Sequence, residues 1–98
     1  MNYTEAQVET YLRKKVESKG GLCLKLPAVY VEGLPDRLIL MPGGKAMFAE
    51  TKRPRGGRVA PLQTYWQERL RALGFTAEII KSYEEVDRLM EVSSEHTD

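Results

Sequence analysis

The chain has 98 residues, of which 42% are apolar and 30% charged, and its formal net charge is +1. This length supports one domain with a modest core, and the composition is that of an ordinary soluble globular protein. No apolar run is long enough to span a membrane, and the polar start MNYTEAQ lacks a signal-peptide pattern, so we expect a cytoplasmic protein that is not secreted.

The first part of the chain predicts a helix followed by a strand. Thr4 with Gln7 three residues later is typical of a capping box, and apolar residues then recur at helical spacing until Gly20-Gly21. Residues 22–26 predict a strand and residues 28–34 a loop. The single cysteine, Cys23, lies in this strand and is expected to be a small buried residue, so an internal disulfide and a cysteine-based zinc site are excluded.

The middle of the chain predicts a β-hairpin. Residues 37–41 and 46–51 are apolar strands on either side of the turn Pro42-Gly43-Gly44. The segment RPRGGR at residues 53–58 has no periodicity and predicts a loop. Pro61 is well placed in the first turn of a second helix, which Gly74 closes.

The last part predicts a strand at residues 76–80 and a helix that begins with a capping box, Ser82 with Glu85, and continues through Met90. We expect one domain over residues 1–92 and a frayed acidic tail over residues 93–98, in which the only histidine, His96, has no assigned role. The order αβββαβα, a hairpin followed by a helical crossover, implies an α/β fold with a mixed sheet flanked by helices.

Charge is distributed unevenly along the chain. Basic residues outnumber acidic ones over residues 1–77, and acidic residues dominate residues 78–98. A polyanion would therefore be held by the first part and repelled by the end. The alternative is that the acidic end only increases solubility.

Three charged residues lie at the ends of the predicted hairpin strands. Asp36 opens the second strand and Glu50 lies near the end of the third, so a short turn makes these carboxylates neighbours. Lys52 is two residues from Glu50 and projects from the same face. Two adjacent carboxylates without histidine or thiolate suit Mg²⁺ or Mn²⁺. The alternative is a surface hairpin whose ends carry solvated charges and one ion pair.

Three further features favour a site. Pro35 restricts the chain just before Asp36 and suits a strand entry. A basic run follows the third strand, with Gly56-Gly57 allowing close approach of a bulky partner. Gln63 lies on the first turns of the second helix, from which it could reach the carboxylates.

These segments resemble a known nuclease superfamily. Pro35-Asp36 followed by Glu50-Thr51-Lys52 resembles the PD-(D/E)XK signature. From about Thr4 to Met90 the pattern is similar to the VRR-NUC branch, through a first helix bearing Glu9 and the segments GGLCLKL, GLPDRLILMPGG, AETKRP, PLQTYWQERLRALGF and SYEEV. The resemblance implies a restriction-endonuclease-like core and a stand-alone, phage-type member acting in a bacterial cell or a phage-infected host.

The resemblance also implies residue roles. Asp36 and Glu50 would bind Mg²⁺ or Mn²⁺, with Glu9 and the Thr51 backbone carbonyl as further ligands, whereas the Thr51 side chain is expected to point away from the site. Lys52 would be the catalytic lysine, and the helix glutamine would position water or DNA; the residues expected to act in catalysis are Asp36, Glu50, Lys52 and Gln63. The residues expected to contact DNA are Lys25, Arg37, Arg53, Arg55 and Arg58. On spacing alone, a solvated side chain explains Glu9 nearly as well, and it is the better explanation for Gln63 and the ordinary one for Lys25.

The implied function is a Mg²⁺- or Mn²⁺-dependent endonuclease that hydrolyses DNA phosphodiesters in replication, recombination or repair. Branched or four-way (Holliday) junction DNA is the expected substrate, because so small a nuclease would work as a homodimer that presents two sites to two strands. Two alternatives remain open on the sequence: a DNA-binding module without catalysis, and a nuclease of the same fold that acts on RNA.

Overall fold

Three helices and four strands make up the described part of the chain, residues 3–27 and 31–95 of a computed structural model. The helices are α1 (Glu5–Ser18), α2 (Pro61–Ala72) and α3 (Tyr83–Glu95), and the strands are β1 (Leu22–Lys25), β2 (Arg37–Met41), β3 (Lys45–Thr51) and β4 (Thr76–Ile80). The predicted order αβββαβα is confirmed. Residues 28–30 of the predicted loop, and residues 96–98 of the predicted tail with His96, lie outside the described residues. None of the helices within those two ranges is long and apolar enough to cross a membrane.

The strands form one mixed sheet in the order β1-β2-β3-β4. The first three strands are antiparallel neighbours, and β4 returns parallel to β3 through α2. The β2–β3 turn requires a left-handed backbone at Gly43 and Gly44, with φ values of +87° and +77°. Residues without a Cβ adopt this conformation at little cost, and the PGG segment therefore fixes the hairpin register.

The predicted capping box at α1 is complete, whereas the one at α3 has only its serine half. At α1 the Gln7 N–H donates to Thr4 Oγ1 at 3.1 Å, and the Thr4 N–H donates to Gln7 Oε1 at 2.9 Å. At α3 the Glu85 N–H donates to Ser82 Oγ at 3.1 Å, while the Glu85 carboxylate accepts the N–H of Lys81 instead of that of Ser82. These bonds satisfy donors that a helix start leaves free.

The last helix is longer than predicted. The sequence predicts an end at Met90 and fraying from residue 93, whereas α3 continues to Glu95. Residues 91–95 contain no glycine or proline, so nothing in this segment interrupts the helical hydrogen bonds.

The main core lies between one face of the sheet and the pair α1 and α3. Side chains from β2, β3 and β4 meet those of the two helices there, and the cluster consists of Val8, Leu12, Val16, Ile39, Met41, Met47, Ala49, Ile80, Val86, Leu89 and Met90. Cys23 packs against this cluster but is only partly buried, whereas the sequence predicts a small buried residue. At the β1 entry, a Cβ on Gly21 would lie 2.5 Å from Met41 Sδ, so only glycine lets the chain pass this close to the core.

The opposite face of the sheet is covered unevenly. Ala49 lies in the main core, so Glu50, the next residue, points to the opposite face, where α2 packs against β4. On this second face the outer strand is bare, with Leu22 57% and Leu24 42% exposed. The functional side chains described next lie at the covered end of this face.

Candidate active site

The register of the β2–β3 hairpin places two carboxylates opposite each other. Arg37 pairs with Ala49, so the residues one step further, Asp36 and Glu50, lie across from each other at the open end of the hairpin. The structure brings them together as the strand pattern predicts, and the charge of Asp36 acts on the titration of Glu50. Lys52 follows on the same strand, with Nζ 3.6 Å from Glu50 Oε2.

Thr51 holds the Asp36 carboxylate at two points. Its backbone N–H donates to Asp36 Oδ1 at 3.1 Å, and its hydroxyl donates to Oδ2 at 3.0 Å. The Thr51 residue is only 1% exposed. The expectation that this side chain points away from the site is wrong, because the Asp36 side chain reaches across the end of β3 to the Thr51 hydroxyl.

Glu50 is a buried acid with one free oxygen. It is 5% exposed, and Oε1 has no hydrogen-bond partner among the described residues. The pKa of its carboxyl is raised from 4.5 to about 7, mainly by burial and also by the negative charge of Asp36, while the ammonium group of Lys52 opposes the shift. A buried carboxylate oxygen without a donor is an unfavourable arrangement, and binding a cation there would relieve it.

Gln63 connects the start of α2 to Glu50. Its Nε2 donates to Glu50 Oε2 at 3.1 Å, and its Oε1 accepts the N–H of Ala60 at 3.0 Å. Ala60, at the helix start, has no side-chain oxygen that could accept a helix N–H. Gln63 therefore supplies the side-chain hydrogen bond of this helix start. One amide thus fixes the helix start and orients the carboxylate, and Gln63 reaches the site as its position in the sequence suggests.

Arg37 is buried between two acids. Its side chain is 8% exposed, with Nη1 3.4 Å from Asp36 Oδ2 and Nη2 3.5 Å from Glu9 Oε1. Nη1 also donates to the Asp36 backbone oxygen at 2.9 Å. The expected DNA contact of Arg37 does not fit this placement, because the guanidinium faces inward and is already paired.

Glu9 reaches the site only through that arginine. In residues 3–27 and 31–95, no group of three or more His, Cys, Asp or Glu side chains is placed to hold a metal ion. The structure therefore joins Asp36 with Glu50 and keeps Glu9 on the far side of Arg37. The Thr51 carbonyl remains a predicted ligand.

The other basic residues expected to contact DNA lie at the surface. Lys25 is exposed at the end of β1, and Arg53, Arg55 and Arg58 are exposed in the loop between β3 and α2. Arg53 Nη2 donates to the Gly56 oxygen at 3.5 Å, which closes a tight turn of this loop. The three arginines follow soon after Lys52 in the chain and form a basic loop next to it.

The donor atoms at this site are oxygens. Two carboxylates side by side, one with a buried free oxygen, match the ligand set that Mg²⁺ and Mn²⁺ prefer, and no thiolate or imidazole of the described residues is near enough to favour zinc. The residues present therefore fit a hard divalent cation, with the adjacent ammonium group available to a bound anion.

Sequence reasoning missed two contributions to this site. For Arg37 a signal existed: it alternates with Ile39 and Met41, so it shares the core face of β2. For the Thr51 hydroxyl there was none, because its bond to Asp36 crosses the strand end and does not follow the alternation.

Comparison with known proteins gives two similar chains. A phage protein named "Putative nuclease p44", from Acyrthosiphon pisum secondary endosymbiont phage 1, is 36% identical over 78 residues, which covers 80% of this chain and 83% of that protein. A solved structure described as "VRR_NUC domain" superimposes with a TM-score of 0.82 at 32% identity, covering 91% of this chain and 97% of the other. No family model matches the sequence.

Proposed function

The chain belongs to the VRR-NUC family of nucleases, and from this premise we propose that it is a divalent-metal-dependent endonuclease that hydrolyses phosphodiester bonds of DNA. The observation that carries the proposal is the meeting of Asp36, Glu50 and Lys52 at the open end of the β-hairpin, with a buried carboxylate oxygen left without a donor. Such a site can bind a cation and a phosphate side by side.

Asp36 and Glu50 would hold Mg²⁺ or Mn²⁺, together with the Thr51 carbonyl, and Glu9 is the fourth proposed ligand. The bound cation would lower the pKa of a water molecule and offset the negative charge of the phosphodiester. Thr51 and Gln63 keep the two carboxylates in fixed orientations through the bonds described above. For Glu9 to bind as well, the guanidinium of Arg37 has to release it.

Lys52 is the proposed catalytic cation. Its ammonium group is paired with Glu50 Oε2 and its side chain is 17% exposed, so one side of it faces the space where a phosphate would lie. An ammonium group at that point can hydrogen-bond a phosphate oxygen or the attacking water and neutralise negative charge as it develops. A neutral side chain would supply neither effect.

Nucleic acid is the polyanion that suits the basic loop. Lys25, Arg53, Arg55 and Arg58 are exposed cations, three of them in the loop that follows Lys52, and phosphate contacts by such residues supply sequence-independent affinity. We assign the protein to DNA in replication, recombination or repair, in the cytoplasm of a bacterial cell or phage-infected host. Nothing in these residues selects a 2′-hydroxyl.

We further propose a homodimer that cuts branched or four-way junction DNA. Support comes from the uncovered second face of the sheet, where the exposed leucines Leu22 and Leu24 of β1 continue into the half-buried Leu38 and Leu40 of β2. Apolar side chains in one continuous patch favour burial against a second copy, and two-fold symmetry would give two sites for two strands. Leu24→Glu should then give a monomer by gel filtration, whereas Leu73→Glu, at an exposed leucine outside β1 and β2, should not.

The deciding experiment separates cutting from binding. Branched, flap and blunt duplex DNA are incubated with Mg²⁺ or Mn²⁺ and with wild-type protein, Asp36→Asn and the control Glu68→Gln, which changes an exposed acid of α2. We expect the wild type and the control to cut, and Asp36→Asn to bind DNA at least as well without cutting. Chelation of the metal should have the same effect as Asp36→Asn.

The rival functions give different results in the same assay. A protein that binds every DNA but cuts none with Mn²⁺ present would be a binding module, and the nuclease proposal would fail. Cleavage of RNA hairpins in preference to all DNA substrates would keep the fold and the site while changing the substrate.

A further inference from the structure

Three tyrosine rings form a stacked column beside the basic loop. The ring centroids of Tyr3 and Tyr83 are 4.0 Å apart with an interplanar angle of 13°, and those of Tyr83 and Tyr11 are 4.1 Å apart with an angle of 3°. Because Tyr83 is in stacking contact with both of the other rings, it lies between them. Tyr3 is therefore one end of the column and Tyr11 the other.

The Tyr11 end of the column is anchored by polar contacts. The Tyr11 hydroxyl donates to Asp87 Oδ1 at 2.8 Å, and the ammonium group of Lys15 lies 5.6 Å from the centroid of the Tyr11 ring and 3.5 Å from the same carboxylate oxygen. These contacts connect α1 to α3 and hold the column in place.

The Tyr3 end lines a cavity of about 700 Å³ whose other walls are basic and backbone-rich. Residues from the loop after β3 form these walls, namely Lys52, Arg53, Gly56, Gly57 and Arg58. One acid, Glu5, is also in the lining, so the three cations leave the cavity positive. A volume of this size is in the range of small-molecule sites and is large enough for a nucleotide.

Two glycines keep the loop wall free of side chains. A Cβ on Gly57 would lie 2.6 Å from the Arg53 oxygen and 3.0 Å from Lys52 Cβ, so a larger residue cannot be placed there without moving the loop. Gly56 has a φ of +72°, which side-chain-bearing residues rarely adopt. The two together leave backbone and guanidinium groups facing the cavity, a surface that admits a phosphate closely.

Lys52 makes this cavity continuous with the active site. Lys52 lines the cavity, and its Nζ also contacts Glu50 Oε2. An anion in the cavity and the candidate catalytic carboxylates would therefore contact the same lysine side chain. A nucleic acid strand cut at the carboxylates would thus have a neighbouring nucleotide at the cavity.

We propose that this cavity is a base-stacking subsite that takes one unpaired nucleotide of the substrate strand, with the base against the Tyr3 ring and its phosphate against Arg53 and Arg58. The inference rests on the proposed function in requiring a nucleic acid substrate. Aromatic side chains stack on any base, so the subsite reads single-strandedness and not sequence. It would select DNA with an unpaired strand beside the cleavage point over fully paired duplex.

The test measures binding without cleavage, in EDTA, to two DNA probes. One is a forked duplex with 2-aminopurine in the unpaired arm next to the junction, and the other is a blunt duplex of equal length. The variants are Tyr3→Leu, Tyr3→Phe and the control Tyr65→Leu, which removes a half-exposed aromatic ring of α2 outside this cavity. Fluorescence anisotropy gives the dissociation constants, and 2-aminopurine quenching reports stacking.

We expect Tyr3→Leu to weaken fork binding roughly 5- to 100-fold and abolish the quenching, with blunt-duplex binding unchanged. Tyr3→Phe should behave as the wild type because the ring remains. Equal losses for Tyr3→Leu and Tyr65→Leu, or unchanged quenching in Tyr3→Leu, would overturn the subsite. If Tyr3→Leu melts before the assay temperature, Arg58→Gln at an exposed position replaces it, and unchanged fork binding by that variant likewise overturns the subsite.

Failure of the proposed function looks different. If the protein quenches 2-aminopurine at Tyr3 but never cuts DNA, the subsite proposal stands and the nuclease proposal fails. If the protein cuts forks and blunt duplexes equally well with or without the Tyr3 ring, the nuclease proposal stands and the subsite proposal fails.

Discussion

The hydroxyl of Thr51 donates to Oδ2 of Asp36 at 3.0 Å, while the backbone N–H of Thr51 donates to Oδ1 at 3.1 Å. One residue therefore fixes both oxygens of the acid that opens β2. Because Thr51 is almost fully buried, water does not compete for these bonds. Thr51, which lies between Glu50 and Lys52 in the signature, thus positions the carboxylate of Asp36 at the start of the neighbouring strand.

Thr51→Val tests this clamp with a side chain of nearly the same shape. We expect cleavage to fall about 10- to 100-fold, the usual cost of losing a partner of a metal ligand, and the free energy of unfolding to fall by about 1 kcal/mol. Thr51→Ser keeps the hydroxyl and should recover most of the rate. Cleavage assays and calorimetric titration with Mn²⁺ measure the two effects.

The Mn²⁺ titration is what distinguishes positioning from packing. A structural effect alone would lower stability and leave the Mn²⁺ affinity of the folded protein unchanged. If Thr51→Val binds Mn²⁺ and cuts DNA as the wild type does, the clamp has no functional role.

The role of Gln63 can be tested by comparison with Gln7, which makes the same kind of capping hydrogen bond at another helix start. Gln63 and Gln7 each accept the N–H of the residue three positions before them at a helix start, but only Gln63 also donates to Glu50. Each change to leucine should cost about 0.5–1 kcal/mol of stability. Only Gln63→Leu should reduce cleavage, by about 10- to 100-fold. Equal rates for the two variants would show that Gln63 acts only as a cap.

Much of the site could be predicted because it depends on strand register. The PGG turn and the alternation of β2 and β3 determine which residues face each other, and this was enough to bring Asp36 and Glu50 together. The chemistry of the helix starts was equally local, since a capping residue and its partner are three positions apart. Gln63 was assigned to the site through the family resemblance, because its spacing alone favours a solvated helix residue.

The rest depends on how side chains cross between elements. The bond between Thr51 and Asp36 spans a strand end, and the burial of Arg37 depends on α1 packing over β2 with Glu9 in reach. Neither follows from the period of one element. The tyrosine column is even less predictable from the sequence pattern, because its three rings come from the chain start, α1 and α3.

The raised pKa of Glu50 predicts a stability gain for Glu50→Gln in metal-free protein. The folded state holds the proton up to about pH 7, whereas the unfolded chain releases it near 4.5. The charged carboxylate therefore costs stability increasingly from pH 4.5 to pH 7 and fully above that range. Glu50→Gln should be more stable than the wild type by roughly 1–3 kcal/mol above pH 7.

Urea unfolding in EDTA at two pH values measures this difference. Below pH 4.5 both proteins carry a neutral side chain at residue 50, so their stabilities should converge. An equal difference at both pH values would mean that packing of the amide, and not the charge of the acid, separates the two proteins.

Cys23 should be chemically inert in the folded protein. Burial raises the pKa of its thiol to about 11, and only the thiolate reacts with disulfide reagents. At pH 8 about 0.1% of the thiol is then ionised, compared with several per cent or more of an exposed cysteine. A thiol–disulfide exchange assay should show slow labelling that becomes fast in urea. Rapid labelling of the native protein would place Cys23 at the surface.

Arg37 gives a double-mutant test of the buried ion group. Arg37→Met leaves the Glu9 and Asp36 carboxylates without their cation and should cost about 1–4 kcal/mol of stability, because a buried pair broken on one side leaves an uncompensated charge. Arg13→Met is the matched control, since Arg13 pairs with Glu17 at 3.4 Å on the exposed side of α1 and should cost less than about 1 kcal/mol.

Adding Glu9→Gln to Arg37→Met should recover part of the lost stability, since it neutralises one of the two carboxylates that the arginine substitution leaves unpaired. Urea unfolding of the four proteins of the cycle gives the coupling energy directly. Additive effects would show that Glu9 and Arg37 are not paired in solution, and that Glu9 is then free to turn toward the two site carboxylates. A sizeable coupling energy that disappears when Mn²⁺ is added would show that the cation and the guanidinium compete for the same acids.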